Sequence, residues 1–533
     1  MPDVVRTLVA ALMLLATGIA GLPSGALAQA GVYHRGNDGD PETLDPHKTS
    51  TVSEAHLLRD LFEGLVIHDG LGRVVPGVAE RWEITPDGRL YRFHLRANAK
   101  WSNGEAVKAG DFVYSLRRIM APDTGAKYAN ILYPIQGAEK IARREAAPET
   151  LGVKAVDDRT LEITLERATP YFLELLTHQT GLPVHPGNVT AAGKDFVRPG
   201  TLVSNGAYRL VENVPNSHIL LEKNQHFHDA ANVRIPAVRY HPIKDLAAAA
   251  RRFMAGELHS TSDFPADQYK FLKDKLGSQV VVAPYLGTYY LAFNTERTPF
   301  GDVRVRTALS MAIDREFLND YIFSATMVPA YGFIPPGIGN YGAPAEMSFK
   351  ALAPIEREER ARQLLADAGY GPKKPLKVEI RYNITDNNRN AMVAIADMWK
   401  SIGVETTFIS TDAKTHFAYL RDGGAFDVAR AGWIGDYSDP QNFLFLVQSD
   451  NPGFNYARYK NPEFDVLMKE AGAETDLAKR ALILLAADRM FVRDQPFAPL
   501  LFYSSRHLIS PKLKGLTPNL RGANATRFMS LEP

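Results

Sequence analysis

The chain has 533 residues, of which 45% are hydrophobic and 23% charged, and its 61 basic and 60 acidic side chains leave a net charge of +1. This length exceeds one ordinary domain and predicts two or three lobes, while the balanced charge gives no reason to expect nucleic acid as a partner. Because the chain has no cysteine, disulfides, thiol catalysis, cysteine-type structural zinc and a lipid-modified N-terminal cysteine are all excluded.

The first 28 residues have the pattern of a signal peptide. Arg6 supplies the positive charge, residues 8–20 form an apolar stretch, and Ala26-Leu27-Ala28 fits the small-x-small cleavage pattern. The alternative is a membrane anchor, but the apolar run is shorter than the ~18–20 residues that a spanning helix needs. We therefore expect an exported, soluble protein that starts at Gln29 after cleavage.

Strand and helix patterns then alternate along the chain, which predicts a mixed α/β protein. Tyr91, Phe93 and Leu95 alternate with polar residues, as in a strand with one buried face. The segments 153–156 and 161–165 flank two aspartates and predict a β-hairpin. Helices are predicted at 303–313 and 356–368, and loops at 196–206 and 334–343.

The stretch 376–409 predicts a βαβ unit. Alternating apolar residues at 376–382 indicate a strand, and helical spacing follows from Met392 to Ile402. Gly403 is placed to end that helix, and alternation resumes at Val404. A βαβ unit implies parallel strands in the C-terminal half.

Several short motifs, in this order and spacing, resemble one family: the periplasmic oligopeptide-binding proteins, within the larger group that also binds dipeptides, nickel complexes and haem. The resemblance covers essentially the whole chain from about residue 32. The motifs are ETLDPH at 42–47, RDLFEGL at 59–65, PGVAERW at 76–82, FHLR at 93–96, KWSNG at 100–104, DFVYS at 111–115, NGAY at 205–208, VRVRTAL at 303–309 and ARAGW at 429–433.

The resemblance implies a two-lobed periplasmic binding-protein fold of type II, of the large cluster C kind. An extra α/β domain sits on the N-terminal lobe, and the lobes close over the ligand about a hinge. Projected onto this chain, lobe I takes 29–62, 187–286 and 505–533. The extra domain takes 63–186, and lobe II takes 287–504.

The resemblance also implies a function and partners. The protein would be the periplasmic substrate-binding component of an ABC importer, holding a short peptide as an added β-strand and delivering it to the membrane permease. We expect a monomer with no cofactor, no metal and no catalytic residues.

Asp436 is the candidate partner for the peptide's ammonium group. It follows the segment 426–433, predicted to be a buried strand, and ligand crevices in α/β sheets form just past strand ends. In the family, the aspartate at this position binds the amino terminus. The alternative is a helix-capping or turn aspartate.

Other candidate contacts are carried over by position. Arg421 and Arg430 match arginines that receive the peptide's carboxylate end, whereas Trp433 is either a ligand contact or a core residue. The remaining positions that match or neighbour ligand-lining residues are Val52, Tyr128, Tyr290, Gly432 and Tyr503.

The chain departs from the best-known oligopeptide binders at the carboxylate end and in the side-chain pockets. We expect Lys414 and Asn388 to line the ligand there, with Lys414 shifting the preference toward particular peptide lengths or acidic residues. The departures are Ser50 and Ala292 in place of glutamates, Asn388 in place of a histidine, Lys414 in place of a tryptophan, and Gly287 and Ile434 in place of two cysteines.

Two kinds of alternative stay open. The same fold could bind a dipeptide, a murein peptide, an opine-like compound, a nickel chelate or haem. A secreted hydrolase is the other: Asp436 and Asp439 beside Trp433 could suggest a glycosidase, although a spacing of three in a Pro-containing loop does not fix that geometry. His226 and His228 lack a nearby third ligand and predict surface residues rather than a metal site.

Overall fold

The computed structural model describes residues 31–49, 51–451 and 453–532, so the predicted signal peptide, its cleavage site and Ser50 lie outside the described residues. The strands are β1 Val32–Asn37, β2 Val66–His68, β3 Val74–Pro76, β4 Ala79–Ile84, β5 Leu90–Leu95, β6 Val153–Asp157, β7 Thr160–Thr164, β8 Tyr208–Val214, β9 His218–Lys223, β10 Ala237–Pro242, β11 Val280–Phe293, β12 Val328–Pro329, β13 Leu376–Asn383, β14 Val404–Thr411, β15 Val428–Ile434, β16 Phe497–Leu508, β17 Leu513–Lys514 and β18 Ser530–Leu531.

Helices cover these strands. They are α1 Val52–Leu61, α2 Ala109–Met120, α3 Ala138–Ala142, α4 Phe172–Leu176, α5 Pro186–Ala192, α6 Leu246–Met254, α7 Tyr269–Leu276, α8 Val303–Met311, α9 Arg315–Phe317, α10 Pro354–Asp367, α11 Asp386–Ser401, α12 Ala413–Arg421, α13 Gln441–Leu444, α14 Pro462–Ala473 and α15 Leu477–Asp494. The helices predicted at 303–313 and 356–368 are confirmed as α8 and α10, with ends that differ by at most two residues.

The largest sheet has the order β12-β16-β11-β15-β13-β14. Strand β13 pairs in parallel with β14 and with β15, whereas β11 pairs antiparallel with β15 and β16. The predicted βαβ unit is therefore confirmed as β13-α11-β14. Gly403 ends it with φ +84°, a left-handed conformation that glycine adopts without strain.

Two smaller sheets lie outside this one. One has the order β1-β10-β9-β8, and the other has the order β4-β5-β7-β6. The predicted hairpin is confirmed as β6 and β7, and Tyr91, Phe93 and Leu95 form the buried face of β5 as expected. The fully buried apolar residues around β4–β7 all come from Leu65–Leu176, so this sheet has a core of its own.

Two long strands cross the predicted borders between the lobes. β11 and β16 pair antiparallel, and their register shifts between Pro284 and Thr288. The predicted borders at 286/287 and 504/505 fall inside these strands, beside that irregularity. The exact extent of each lobe stays a prediction.

Candidate functional site

Asp436 lies two residues past the end of β15, as predicted for a residue at a strand end. Its carboxylate is half-buried, and its Oδ1 accepts a hydrogen bond from the Tyr128 hydroxyl at 2.9 Å. It forms no ion pair within the described ranges. Burial raises the pKa of Asp436, an effect opposed by the Tyr128 hydrogen bond and the charge of Arg521. The carboxylate is thus partly desolvated without a paired cation, the state in which a ligand ammonium would contribute most.

The loop that carries Asp436 is held from both sides. Arg521 donates hydrogen bonds to the backbone carbonyls of Gly435 and of Asp436 itself. Tyr437 stacks on Tyr171, with ring centroids 4.8 Å apart. These contacts fix the backbone and leave the Asp436 side chain for Tyr128 and a ligand. The role of Arg521 could not have been found from the sequence, because the contact joins residues 85 positions apart.

Arg430 lies in the middle of β15 and has only neutral partners. It donates from Nη1 to the Asn383 side-chain oxygen at 2.8 Å and from Nη2 to the Tyr503 hydroxyl at 3.0 Å. The guanidinium also lies over the Tyr289 ring, 4.4 Å from its centroid. Its Nε is buried without a hydrogen-bond partner among the described residues. No described carboxylate offsets this charge, so it is available for an anionic group.

Asn388 joins the same network. It donates to the backbone oxygen of Asn383 at 2.9 Å, and its own side-chain oxygen accepts from the Tyr289 hydroxyl at 2.9 Å. The structure therefore brings together three predicted residues (Arg430, Asn388 and Tyr503) and adds two that the sequence analysis missed (Asn383 and Tyr289).

Gly432 makes room for this network. A Cβ at Gly432 would lie 2.5 Å from the Tyr503 hydroxyl oxygen, which real Cβ atoms do not tolerate. Glycine at this position thus allows Tyr503 to approach Arg430. Gly287 and Ile434 are paired across β11 and β15, and the Ile434 side chain fills the space that a Cβ on Gly287 would need. The two residues that replace cysteines are therefore packed as a complementary pair.

The last part of β15 has one free edge. Strand β11 pairs along its whole length, but β13 pairs with it only at Val428 and Ala429. Beyond them, the His416 side chain contacts the Arg430 carbonyl at 2.8 Å, and no described strand covers the stretch from Gly432 to Ile434. Unpaired backbone groups at such an edge are the usual template for adding an extended peptide.

Three predicted contacts lie outside both the Asp436–Tyr128 pair and the Arg430 network. Trp433 is half-buried, donates to the Asn442 side-chain oxygen at 2.9 Å and packs against Phe445 and Phe454. Tyr290 and Tyr289 are each 1% exposed, and Tyr290 stacks on Phe497 in the core, whereas the Tyr289 ring contacts Arg430. Val52 is 50% exposed at the start of α1.

Two other residues of the predicted carboxylate end, Arg421 and Lys414, belong to α12. Arg421 is exposed at the end of this helix, and its charge and hydrogen bond lower the pKa of Tyr456, although burial of that tyrosine raises it more. Lys414 belongs to the same helix, and its side chain lies outside the described parts of the structure. Ala292 is fully buried in β11, where a glutamate would have needed a partner.

The two carboxylates that could suggest a glycosidase, Asp436 and Asp439, differ in their partners. Asp439 is buried and forms a two-pronged ion pair with the buried Arg480, at 2.6 and 2.8 Å. It is neutralised within the fold, unlike Asp436. This arrangement supports no second free carboxylate for glycoside cleavage.

The two histidines near β9 differ in environment. His226 is exposed as predicted, whereas His228 is largely buried and pairs with Glu63 at 2.7 Å. Among the described residues there is no group of three metal-ligating side chains. Within the same ranges, no helix is long and apolar enough to cross a membrane.

Solved structures share this fold. The unliganded open form of the periplasmic murein tripeptide-binding protein MppA matches with a TM-score of 0.87 at 37% identity, over 95% of this chain and 98% of that one. A second structure of the Escherichia coli murein tripeptide-binding protein gives 0.75 at 38% identity, over 95% of this chain and 99% of that one. Haemophilus influenzae OppA in complex with the peptide RPPGFSPFR matches with a TM-score of 0.74 at 34% identity, over 94% of this chain and 99% of that one. The predicted two-lobed binding-protein fold is confirmed, and this chain is most similar in arrangement to the open form among these three.

Sequence relatives agree with the structures. Escherichia coli MppA is 39% identical over 94% of this chain and 93% of its own length, and Escherichia coli periplasmic oligopeptide-binding protein OppA is 38% identical over 93% and 92%. A model of the bacterial extracellular solute-binding proteins, family 5, matches residues 73–455. The chain therefore belongs to family 5 of the bacterial extracellular solute-binding proteins.

Proposed function

We propose that this protein captures short peptides that have a free amino terminus, with Asp436 as the partner of the ligand ammonium. The observation that carries the proposal is the Asp436 carboxylate, half-buried just past a strand end and held by Tyr128 without a paired cation among the described residues. A charge-assisted contact of this kind contributes about 1.5–3 kcal/mol. That is a large part of the roughly −8 kcal/mol of a micromolar complex.

Arg430 receives the carboxylate end of the ligand, directly or through water. Its guanidinium is oriented by Asn383 and Tyr503, both neutral, so that its charge stays available. Arg421 and Lys414 on α12 add further positive charge at this end. The carboxylate end is thus a set of cations, whereas the ammonium end depends on one carboxylate.

The peptide backbone lies along the free edge of β15. Main-chain hydrogen bonds at Gly432 and its neighbours supply affinity that does not depend on side-chain identity. Trp433, Tyr128 and Val52 contact ligand side chains, with Trp433 held in place by Asn442. This division explains how one protein accepts varied peptides.

We also propose where the protein works and which partner receives its ligand. The protein works in the periplasm after cleavage of residues 1–28, as a monomer, and hands its ligand to the permease of an ABC importer. It returns the ligand chemically unchanged, since Asp439 is committed to Arg480 and no second free carboxylate stands near Asp436 in the described site. Lobe I (29–62, 187–286, 505–533), the extra domain (63–186) and lobe II (287–504) close about the β11 and β16 strands.

The main alternative is a murein peptide as the natural ligand. The identities to MppA and OppA, 39% and 38%, differ by too little to choose between the two. Other relatives include a probable deoxycholate-binding protein at 34% and a dipeptide-binding protein at 30%. The Asp436 carboxylate, which has no paired cation among the described residues, favours a ligand with a free ammonium group, and therefore a peptide over deoxycholate.

Mass spectrometry of the ligand that co-purifies with the protein under native conditions tests the proposal. We expect peptides with free amino termini, and a D-amino acid or a γ-linked glutamate among them would assign the murein class. Ligands without an ammonium group would contradict the proposal. The Asp436→Asn variant, purified in parallel, should carry much less of the same ligand.

A further inference from the structure

Arg59, a partly buried arginine, has no acidic group beside its guanidinium among the described residues. Arg59 lies in α1, and its side chain forms no ion pair with any described residue. Its Nη1 is buried without a hydrogen-bond partner in the described part of the chain. Burial, together with the nearby charge of Arg521, lowers the pKa of Arg59 to about 10. A guanidinium is still protonated at neutral pH with such a pKa, so the positive charge stays in place.

Arg59 lines a small cavity. The cavity has a volume of about 40 Å³, which is room for a few waters or one chloride-sized ion. It lies where α1 meets the segment 63–186 and the C-terminal segment. Its walls include Phe62, Val66, Ile67, Thr177, Leu182 and Ala523.

The other ionisable groups around this cavity are already paired. Glu63 pairs with Arg527 and with His228. His68 pairs with Glu174 at 3.1 Å. His178 lies close enough that burial and the charges of Arg521 and Arg59 lower its pKa to about 3, so it is neutral.

The two other arginines near Arg59 have contacts of their own. Arg35 lies near the buried Asp60, and Arg521 donates hydrogen bonds to the backbone carbonyls of Gly435 and Asp436. Arg59 has neither an acidic group beside its guanidinium nor a partner for its Nη1 among the described residues, so its positive charge is uncompensated at the cavity. Water in the cavity would satisfy its hydrogen bonds but leave the charge uncompensated, and an unpaired charge away from bulk water is unfavourable.

We propose that this cavity is a binding site for a small inorganic anion, chloride in size and charge, held by Arg59. The anion neutralises the charge of Arg59 and links α1 to residues 66–68, which come from the segment with its own core, and to the wall at 177–182. Bound chloride stabilises the folded chain because the unfolded chain has no such site.

Thermal unfolding in chloride and in gluconate at constant ionic strength tests the proposal. For the parent protein we expect the midpoint to rise by about 1 °C for each tenfold increase of chloride above its Kd. Arg59→Met should show no difference between the two salts. Arg143→Met is the matched control, because Arg143 is exposed and pairs with Glu139 on the same helix, and it should keep the chloride effect.

Crystals of the parent protein grown in sodium bromide provide a test that does not depend on the variant folding. We expect an anomalous bromide peak within about 3.5 Å of Arg59 Nη1. A cavity that contains only water under these conditions would overturn the proposal. So would equal midpoints in chloride and gluconate, or a chloride effect that persists in Arg59→Met.

Discussion

The two ends of the candidate peptide site are built in different ways. At one end, a single carboxylate, Asp436, projects from a loop whose backbone is fixed by Arg521. At the other end, Arg430 is part of a network with Asn383, Asn388, Tyr289 and Tyr503. The first arrangement concentrates recognition in one group, and the second distributes it. A free ammonium is common to all linear peptides, whereas the position of the carboxylate varies with peptide length, so a single anchor and an adaptable end suit varied ligands.

Replacing the single anchor should have the largest effect. Asp436→Asn keeps the size of the side chain and its acceptor for Tyr128 but removes the charge. We expect the affinity for free peptides to fall by about 10- to 150-fold, which corresponds to the loss of about 1.5–3 kcal/mol. Isothermal calorimetry with one tripeptide measures this. An affinity within twofold of the parent would show that the ammonium is bound elsewhere.

Replacing Arg430 should cost less, because the carboxylate end has other cations. Arg430→Gln keeps hydrogen bonding to Asn383 or Tyr503 while removing the charge, and we expect about a 3- to 10-fold loss of affinity. The loss should shrink for peptides whose C-terminus is amidated. If Arg430→Gln weakened amidated and free peptides equally, Arg430 would have only a structural role.

The two ends should also differ in their response to pH. Burial raises the pKa of Asp436, and an ammonium binds only the ionised form, so affinity should fall as the pH is lowered through that raised pKa. Burial lowers the pKa of His416 beside Arg430 to about 4, so the carboxylate end should not titrate between pH 5 and 7.

Peptide affinity measured at a series of pH values below about 6.5, where the ligand amine stays protonated, tests this difference. Asp436→Asn should flatten the profile, and Arg430→Gln should leave its shape unchanged. A profile that keeps its slope in Asp436→Asn would assign the titration to another group.

Gly432 tests whether the network acts through Tyr503. In Gly432→Ala the new Cβ must displace the Tyr503 hydroxyl. The displacement breaks the hydrogen bond that Arg430 donates to this hydroxyl. We expect a loss of affinity of about 2- to 5-fold, similar to that of Tyr503→Phe, since each removes one hydrogen bond. The double variant should be little worse than either single one, because both changes remove the same contact. Additive losses would show that Gly432 acts through the backbone edge of β15 instead.

Lys414 should have the smallest effect on affinity and a visible one on selectivity. Lys414→Ala should reduce the preference among peptides of two to five residues, or for acidic over neutral residues, by about two- to threefold. Lys400→Ala, an exposed lysine at the end of α11, is the matched control. An unchanged length and charge preference in Lys414→Ala would refute a ligand role for this residue.

The sequence predicted the local parts of this site well. Alternation and helical spacing placed β13, α11 and β14, and the apolar run before Asp436 placed that residue past a strand end. The run begins at Phe426, but β15 begins at Val428, because the Asn294 side chain binds the Phe426 carbonyl outside the strand ladder. Alternation and helical spacing depend only on residues close together in the chain, so they can be recognised before the fold is known.

The network around Arg430 could not be predicted in the same way. Apart from the local contact between Asn388 and Asn383, its hydrogen bonds join residues 47 to 99 positions apart, and no local pattern encodes them. The contact of Tyr289 with Arg430 shows why. Residues 286–293 of β11 are all buried, so no alternation of buried and exposed positions distinguishes Tyr289 from Tyr290 in the sequence.

The role of Asp436 as the partner of the ligand ammonium is tested most directly by calorimetry on four combinations. One tripeptide, either free or N-acetylated, is titrated into either the parent protein or Asp436→Asn. Acetylation removes the ammonium charge, and the substitution removes its partner. The account predicts that acetylation weakens binding to the parent by at least tenfold and binding to Asp436→Asn by less than about twofold. Equal losses on acetylation in both proteins would contradict Asp436 as the site of ammonium capture.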